Sequence, residues 1–311
     1  MLDCQWSLRR EAARGAGLMV AEGKPVGIVY NAHMSRAREF ASALEERLRA
    51  CARVWVRSIE EMAGEPDCAR DASVVITVGG DGTILRVVPS IAPLGIPLMG
   101  INLGRIGFMT EFEEEEALEG VPGVLAGTGW VEERAMLQAE VLSAEKAEGA
   151  RAPAVYHALN DVVVGRAVVS RMVRVRAVVD GVLLASYRVD ALIVATATGS
   201  TGYSMAAGGP ILPPSSRDII IKPVAPHLSL DAAVVVPGTS TIELTTQSDT
   251  RCMVSVDGHI DVELAPDATV RVGKSPYVAR FVRVHPPSHY YATLIQRLGL
   301  VWGQEGYRPE R

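Results

Sequence analysis

With 311 residues, of which 48% are hydrophobic, the chain is long enough for two domains of ordinary size, each with its own core. Its formal net charge is −5 and its Lys and Arg residues are scattered, which argues against a nucleic-acid partner and against an anionic membrane surface. No apolar stretch of the sequence approaches the roughly 20 residues that a membrane-spanning helix needs.

The N-terminal segment fits poorly with the rest of the chain. Arg9, Arg10 and Arg14 precede no apolar core of the length that a secretory signal requires. We expect residues 1–24 to form a disordered tail, and a start codon placed too early would explain the same pattern. The four cysteines show no CxxC pairing, which favours reduced thiols in a cytoplasmic protein.

Strands and helices alternate between about residue 25 and residue 128, which predicts an α/β domain with a parallel sheet and helices on both faces. The longest predicted helix has apolar residues at spacings of three and four, as on one face of a helix. The pattern predicts strands at 26–30, 54–56, 73–78 and 97–101 and helices at 34–50 and 84–91.

The most informative segment is Gly79-Gly80-Asp81-Gly82-Thr83, directly after the apolar third strand. Glycine lets the backbone turn tightly and leaves its N–H groups open to a closely approaching anion. A carboxylate in the middle of such a turn suits phosphoryl transfer. An ordinary strand-to-helix turn is the alternative that this motif alone leaves open. A second glycine-containing loop, at 102–108, is expected at the same edge of the sheet, where ligands of such folds bind.

An acidic stretch at 110–116 predicts the start of a helix rather than a metal site. Thr110 and Glu113 have the spacing of a capping box, and early glutamates favour a helix N-terminus electrostatically. We therefore predict no protein-held metal site in this chain.

Helical periodicity nearly vanishes after residue 128, which predicts an all-β second domain at 129–286, either a sandwich or stacked sheets. Turn signals such as Asp257-Gly258 separate short runs rich in Val. Residues 287–311 return to helix, and we expect that helix to pack back on the first domain. The strands are predicted at 136–142, 160–164, 173–179, 192–195, 233–236, 253–256, 269–272 and 278–284.

A long loop at 196–210 crowds hydroxyl groups and glycines together directly after an apolar strand. Such a loop offers donors and bare backbone to a polar ligand, and Tyr203 is available to stack on the ligand or to cap it. A connecting loop without a ligand is the alternative.

Taken in order along the chain, these motifs resemble the bacterial NAD kinase family from about residue 26 to residue 302. The glycine loop at 79–83 is shared with diacylglycerol kinases and phosphofructokinases, whereas the loop at 196–210 together with Asn160 is far more specific. The resemblance implies an α/β N-terminal domain with a parallel sheet and an all-β C-terminal domain. The matching segments are 79–83, 100–108, 160–161, 196–210, 226–227 with 234–237, and 257–258.

The chain departs from the family pattern at a few positions. Ala191, Ala197, Gly202 and Ala206 stand where the family usually has glycine, proline, alanine and serine, and Asp161 stands where glutamate is usual. These small changes leave the detailed contacts of Gly202 and Ala206 open.

The resemblance implies transfer of the γ-phosphoryl group of ATP to the 2′-hydroxyl of the adenosine ribose of NAD, which gives NADP. Asp81 would orient that hydroxyl or accept its proton late, because an ordinary aspartate is a weak base for a ribose hydroxyl. Gly79, Gly80, Gly82 and Thr83 would donate N–H groups to the ATP phosphates. The sequence has no P-loop lysine, so Mg²⁺ or another divalent cation bound with ATP must compensate much of the charge.

For NAD, the resemblance places Asn160 and Asp161 at the adenosine end and the loop around Tyr203 on the adenine and its ribose. Asp190 would lie near the nicotinamide end. A turn-capping role for Asn160 and a structural pair between Asp190 and Arg188 are the open alternatives. The complete set of predicted NAD-binding residues is Asp81, Gly82, Phe108, Asn160, Asp161, Arg188, Asp190, Thr198, Thr201, Gly202, Tyr203 and Ala206.

The resemblance also implies a cleft site between the domains and a homodimer or homotetramer formed through the β domains. Two other functions compete with it. A lipid kinase of the diacylglycerol type shares the glycine loop but should lack the long loop at 196–210. A module that binds NAD or ATP without turnover is the second, and the presence of Asp81 weighs against it.

Overall fold

The computed structural model of the chain describes residues 23–104, 107–142, 154–168, 171–227, 230–247 and 251–299. The described residues form two compact units, which we treat one at a time. The first comprises 23–84, 97–131 and 282–299, and the second comprises 85–96 and 132–281. The predicted tail lies almost entirely outside the described residues, and the predicted domain bounds at 25–128, 129–286 and 287–311 stay a prediction.

The first unit is built on a parallel sheet. Its neighbouring strands run in the order β4-β3-β1-β2, and β1 pairs with both β2 and β3 in parallel register, from Val26 opposite Val54 and from Val26 opposite Val74. The elements in chain order are β1 (Val26–Tyr30), α1 (Ser35–Leu48), β2 (Val54–Ser58), α2 (Ile59–Gly64), β3 (Val74–Gly79), α3 (Asp81–Ile91), β4 (Leu98–Asn102), β5 (Phe112–Glu113) and α4 (Glu114–Leu125). Only the first turn of α3 belongs to this unit, because residues 85–96 belong to the second.

The apolar run that predicted a buried strand is the centre of this sheet, because every residue of β3 is buried. Both ends of helix α1 lie within two residues of the predicted bounds, 34 and 50. One face of the helix is apolar and packs on the sheet. The buried residues of that face are Ala37, Phe40, Ala41, Leu44 and Leu48.

The predicted capping box at Thr110 and Glu113 is wrong. Helix α4 begins at Glu114, and Glu113 is its N-cap without a side-chain hydrogen bond. The physical reason is strand pairing: Phe112 and Glu113 lie beside Ile101 and Asn102 as a short parallel strand, and Phe112 is buried there. Pairing holds the chain extended up to the first helical residue, while three glutamates in the first turn still favour the positive helix end.

The second unit contains two antiparallel sheets. One has the order β13-β12-β11-β8-β15-β16, and the other contains β10-β9-β14-β17, with β6 beside β17 and β7 beside β6. The strands are β6 (Trp130–Leu142), β7 (Ala154–Ala158), β8 (Asp161–Arg166), β9 (Val173–Val179), β10 (Val182–Val189), β11 (Ala191–Ala195), β12 (Ile219–Val224), β13 (Val234–Val236), β14 (Ile242–Thr246), β15 (Cys252–Val256), β16 (Ile260–Leu264) and β17 (Thr269–Arg283), with the short helix α5 (Tyr203–Ala206) after β11.

One apolar core joins the inner faces of these two sheets, as in a sandwich. Val162 and Val164 of β8 contribute from one sheet, and Val175 and Ala177 of β9 contribute from the other. Residues between them in sequence point to the opposite faces, as the two-residue period of a strand requires. The predicted fold class, a parallel α/β part followed by an all-β part, is confirmed.

The chain ends its described part in α6 (His289–Leu298), which belongs to the first unit. None of its residues is buried, and Gly299, with φ 61°, ends it in the left-handed conformation that favours glycine. Within the described ranges, no helix combines the length and the apolarity that crossing a lipid bilayer requires.

We expect Tyr187→Phe to raise the free energy of unfolding by about 1 kcal/mol. Tyr187 is fully buried, and its hydroxyl has no hydrogen-bond partner among the described residues. Phenylalanine keeps the ring and removes the buried polar atom. Urea unfolding of both proteins measures the difference, with the exposed Tyr291→Phe as a control that should change nothing. A loss of stability in Tyr187→Phe would mean that the hydroxyl has a partner after all.

Candidate active site

The glycine loop of the first unit joins a strand directly to a helix. Strand β3 ends at Gly79 and α3 begins at Asp81, three residues earlier than the sequence predicted. A Cβ atom at Gly79 would overlap the hydroxyl of Thr83, so only glycine fits there. Nothing lies within 4 Å of the position that a Cβ of Gly82 would take, so this part of the loop is open.

The carboxylate of Asp81 is held by the second glycine-containing loop. Its Oδ2 accepts the N–H of Phe108 at 2.8 Å, and its Oδ1 accepts the N–H of Met109 at 3.1 Å. A side chain at Gly107 would overlap this carboxylate, which explains the glycine in that loop. Arg297 of α6 places Nη1 3.8 Å from Asp81 Oδ2 and its guanidinium 4.5 Å from the centre of the Phe108 ring.

Thr83 faces inward rather than toward the open side of the loop. Its N–H donates to the carbonyl of Gly80 at 2.9 Å, and its side chain is buried. The hydroxyl has no hydrogen-bond partner among the described residues. In this conformation Gly80 and Gly82 present more accessible backbone than Thr83 does.

In the second unit, three segments meet at one edge of the six-stranded sheet. Strand β8 runs antiparallel to both neighbours, with Asp161 opposite Ala195 of β11 and Val162 opposite Val256 of β15. The start of β8 therefore lies beside the ends of β11 and β15. This register brings together Asn160-Asp161, the loop that begins at Thr196, and Asp257-Gly258.

Asp257 is the anchor of this edge. Its carboxylate accepts the N–H groups of Leu159 at 2.8 Å, Asn160 at 2.7 Å and Asp161 at 3.1 Å. Thr196 holds the same backbone segment from the other side. Its hydroxyl donates to the carbonyl of Leu159 at 2.6 Å, and its N–H donates to the carbonyl of Asn160 at 2.9 Å. The backbone at 159–161 is thus fixed from two sides.

Gly199 lies directly against Asn160. A Cβ atom at Gly199 would overlap the carbonyl oxygen of Asn160, so the close contact of the two segments requires glycine. The side-chain Oδ1 of Asn160 is buried and has no hydrogen-bond partner among the described residues. A buried amide without a partner suits contact with a polar ligand.

Around this point the long loop offers a mixed surface. Thr198 is buried, and the hydroxyl of Thr201 donates to the carbonyl of Thr198 at 3.1 Å. Tyr203 is 45% exposed, and Ala206 is exposed as well. Gly202 lies at the turn into α5, with φ −100°. The loop therefore combines a rigid hydroxyl-bearing base with an exposed aromatic ring.

Two carboxylates, those of Asp161 and Asp257, are buried at this edge. Burial, and then repulsion from Asp257, raises the pKa of Asp161 from 3.8 to about 7. Burial also raises the pKa of Asp257, although three N–H donors act in the opposite direction. Asp161 therefore changes charge close to neutral pH.

Asp190 lies at the opposite edge of the same sheet, whereas Arg188 belongs to β10 of the other sheet. Asp190 precedes β11, whereas the loop at 196–210 follows it, and the five residues of that strand span about 16 Å. The carboxylate of Asp190 pairs with Arg166 at 2.9 Å, and the carbonyl of Arg188 accepts the N–H of His227 at 2.8 Å. The structure thus pairs Asp190 with Arg166 rather than with Arg188.

The sequence gives unequal signals for three residues of these sites. Asp257 lies in a matched segment and is left open between a turn residue and a site residue, Gly107 lies in a matched segment without a predicted role, and Arg297 lies in no motif. The glycines that come after Asn102 offer a signal for Gly107, while a single arginine near the end of an amphipathic helix offers none. The described residues contain no group of three or more His, Cys, Asp or Glu side chains placed to hold a metal ion.

Comparison with known proteins agrees with this geometry. The family models described as the ATP-NAD kinase N-terminal and C-terminal domains match residues 8–128 and 159–284. The NAD kinase of Dehalococcoides mccartyi (strain CBDB1) is 37% identical over 276 residues, which cover 88% of this chain and 96% of that protein. The NAD kinase of Chloroflexus aurantiacus (strain J-10-fl) is 34% identical over 277 residues, which cover 88% and 98%.

Two solved structures share the fold. An NAD kinase from Archaeoglobus fulgidus in complex with ATP has a TM-score of 0.67 and 26% identity, and the match covers 89% of this chain and all of that chain. Yeast NADH kinase complexed with NADH has a TM-score of 0.79 at 22% identity, covering 93% of this chain and 90% of that chain. The second likeness concerns the fold alone.

A glycine loop with a clamped carboxylate on a parallel α/β unit, together with an antiparallel β unit that bears a polar loop, defines a phosphotransferase that acts on an alcohol group. The chain belongs to the NAD kinase family. Its activity is the transfer of the γ-phosphoryl group of ATP to the 2′-hydroxyl of the adenosine ribose of NAD, which gives NADP. These matches favour that activity over the lipid kinase and the non-catalytic module.

We expect Gly199→Ala to weaken NAD binding at least tenfold and to destabilise the protein by about 2 kcal/mol or more, because the new methyl group would overlap the backbone of Asn160. The matched control is Gly273→Ala in β17, where the nearest atom would lie at 3.8 Å, an ordinary contact distance. Calorimetric titration with NAD and urea unfolding report the two effects. Equal behaviour of the two variants would contradict the close contact.

The raised pKa of Asp161 predicts a stability that falls as pH rises. Between pH 3.8 and about 7 the unfolded chain releases this proton while the folded chain keeps it, so the unfolding free energy decreases over that range and levels off above it. The decrease amounts to roughly 4 kcal/mol at most. Asp161→Asn should flatten the slope in urea unfolding across this range, and the exposed Asp261→Asn should leave it unchanged. An unaltered slope in Asp161→Asn would refute the assignment.

Proposed function

We propose that Asp81 is the catalytic residue of this NAD kinase and orients the 2′-hydroxyl of NAD for attack. The observation that carries the proposal is the clamp on its carboxylate by the N–H groups of Phe108 and Met109. A carboxylate has about four lone-pair sites, so two backbone donors leave sites for a hydroxyl. The side chain is 26% exposed, so a substrate can reach it. Its proton transfer runs late, after the new bond has begun to form.

The donor ATP binds in this proposal at the loop formed by Gly79, Gly80, Gly82 and Thr83. The open backbone at Gly82 supports contact with phosphate oxygens. The N–H of Thr83 already has an internal acceptor, so its part in ATP binding requires that the bond to Gly80 open. The ATP complex of the Archaeoglobus fulgidus NAD kinase supports ATP as the donor.

A divalent cation such as Mg²⁺ accompanies ATP in this proposal. The cation would be held mainly by phosphate oxygens and water. Bound in this way, the cation would neutralise phosphate charge during transfer.

The acceptor NAD binds with its adenosine end at the edge where Asn160, Asp161 and the loop at 196–210 meet. Asn160 offers a buried amide oxygen without a partner, and Tyr203 offers an exposed ring for stacking. The further residues proposed to contact NAD are Phe108, Thr198, Thr201, Gly202 and Ala206.

Arg188 and Asp190 are proposed for the nicotinamide end. The length of β11 separates Asp190 from the residues proposed to bind adenosine. One chain can therefore contact a single NAD with both sets of residues only if each set contacts a different end of the dinucleotide. A second copy of the chain in a homodimer or homotetramer is the other way to bring them to the same molecule. The oligomer and a cytoplasmic location are further proposals.

We expect Asp81→Asn to lower kcat at least 100-fold while NAD binding changes less than threefold, because asparagine keeps the shape but is a poorer acceptor. The assay combines purified protein, NAD, ATP and Mg²⁺ and reads NADP with an NADP-specific dehydrogenase. Asp71→Asn, a change at a solvent-exposed carboxylate before β3, serves as the matched control. Full activity of Asp81→Asn would remove this residue from the mechanism.

We also expect the unaltered chain to form no NADP when Mg²⁺ is left out of the same assay.

A further inference from the structure

Phosphoryl transfer needs positive charge close to the transferred group. The lysines of this chain stand at positions 24, 146, 222 and 274, and none of them lies in a glycine-rich loop. Lys222 is buried and pairs with Asp231 at 2.8 Å. The described residues of the glycine-rich loops thus contain no lysine, and an arginine near Asp81 is the candidate for the cationic side chain at the phosphoryl group.

Arg297 is the arginine that the fold places there. It belongs to the last turn of α6, and among the described residues it is the cation recorded within ion-pair distance of Asp81, at 3.8 Å. Its guanidinium lies over the ring of Phe108, whose own N–H donates to the same carboxylate. The aromatic face holds the guanidinium by a cation–π contact and restricts its orientation.

The donors of Arg297 are not needed by Asp81. Both carboxylate oxygens already accept a backbone N–H, and 3.8 Å exceeds the length of a hydrogen bond. Among the described residues, Asp81 and Phe108 are the partners that the structure gives to this guanidinium, which is one-third exposed. A planar fork with five N–H donors, held in place and largely unengaged, matches the geometry of phosphate oxygens.

We propose that Arg297 is a further catalytic residue, which binds the γ-phosphoryl group of ATP and stabilises its charge during transfer. The inference rests on the proposed role of Asp81 at the acceptor hydroxyl. In the step, the bond between the γ-phosphorus and the β–γ bridging oxygen breaks and leaves its electron pair on ADP. The bond between the γ-phosphorus and the ribose 2′-oxygen forms, and the hydroxyl proton passes to Asp81 and then to water.

A purely positioning role for Arg297 predicts different behaviour. If it only oriented Asp81, its removal would act on the hydroxyl and leave the affinity for the γ-phosphate unchanged. Contact with the γ-phosphoryl group instead requires that binding of an ATP analogue weaken while binding of ADP, which lacks that group, stays the same. The two nucleotides thus separate the two roles without any turnover.

The test compares Arg297→Gln, Arg297→Lys and Arg297→Ala with the unaltered chain. We expect Arg297→Gln to lower kcat for NADP formation about 100-fold or more, and Arg297→Lys to keep part of the activity. Calorimetry should show binding of a non-hydrolysable ATP analogue weakened about tenfold in Arg297→Gln, with ADP binding unchanged. Guanidinium chloride at millimolar concentration should restore part of the activity of Arg297→Ala, which a structural role would not allow.

The matched control is Arg49→Ala, which removes an exposed arginine paired with Glu45 at 3.0 Å at the far end of α1 and should leave activity unchanged. Unchanged kcat in a folded Arg297→Gln, or equal weakening of ADP and of the ATP analogue, would overturn the inference while the function stood. An unaltered chain that binds both nucleotides but makes no NADP would overturn the proposed function, and the inference with it.

Discussion

Both glycine-rich sites depend on a carboxylate that accepts N–H groups from a distant part of the chain. Loop N–H groups have no strand or helix partner, and each one buried without an acceptor would destabilise the fold. Asp81 serves residues 108 and 109 in the first unit, and Asp257 serves residues 159 to 161 in the second. A carboxylate suits this task because it accepts several hydrogen bonds at once and its charge strengthens each of them. One carboxylate therefore holds each loop, and in the second unit Thr196 adds two further hydrogen bonds.

Exposure distinguishes the two carboxylates, and under the proposed function the first serves chemistry while the second serves architecture. Asp81 keeps a side chain that is 26% exposed, so lone pairs remain for a substrate hydroxyl. Asp257 is buried, and its neighbour Asp161 is left as a second buried carboxylate whose pKa rises to about 7. Glu111 shows the opposite balance. Burial would raise its pKa, but His285, Arg283 and two backbone N–H donors more than offset that effect and lower it. Partners, rather than burial alone, set the charge of each group.

The sequence alone predicted those elements whose structure depends mainly on the local residue pattern. The uninterrupted apolar run of β3 and the glycines after it predicted a buried strand and its loop, and the fold class followed from the alternation of elements. It was insufficient where pairing overrides local preference. Strands β14 and β16 contain Glu243 and Glu263 and went unpredicted, because an antiparallel strand with one wet face tolerates such residues. The strands predicted at 269–272 and 278–284 form one strand, β17, since neither Gly273 nor Pro276 interrupts it.

The candidate site shows the same division between local and long-range information. Motifs predicted which loops matter, but register decides which residues share an edge. Asp190 and Asn160 are close to adjoining strands in sequence, yet the antiparallel pairing of Ala191 with Gly165 and of Ala195 with Asp161 sends them to opposite edges. Arg297 reaches Asp81 from more than 200 positions away, and no local pattern could specify that contact. Because strand direction is fixed by the whole sheet, the proposed adenosine contact at one edge leaves Asp190 available only to the far end of the same dinucleotide or, in the proposed oligomer, to another copy of the chain.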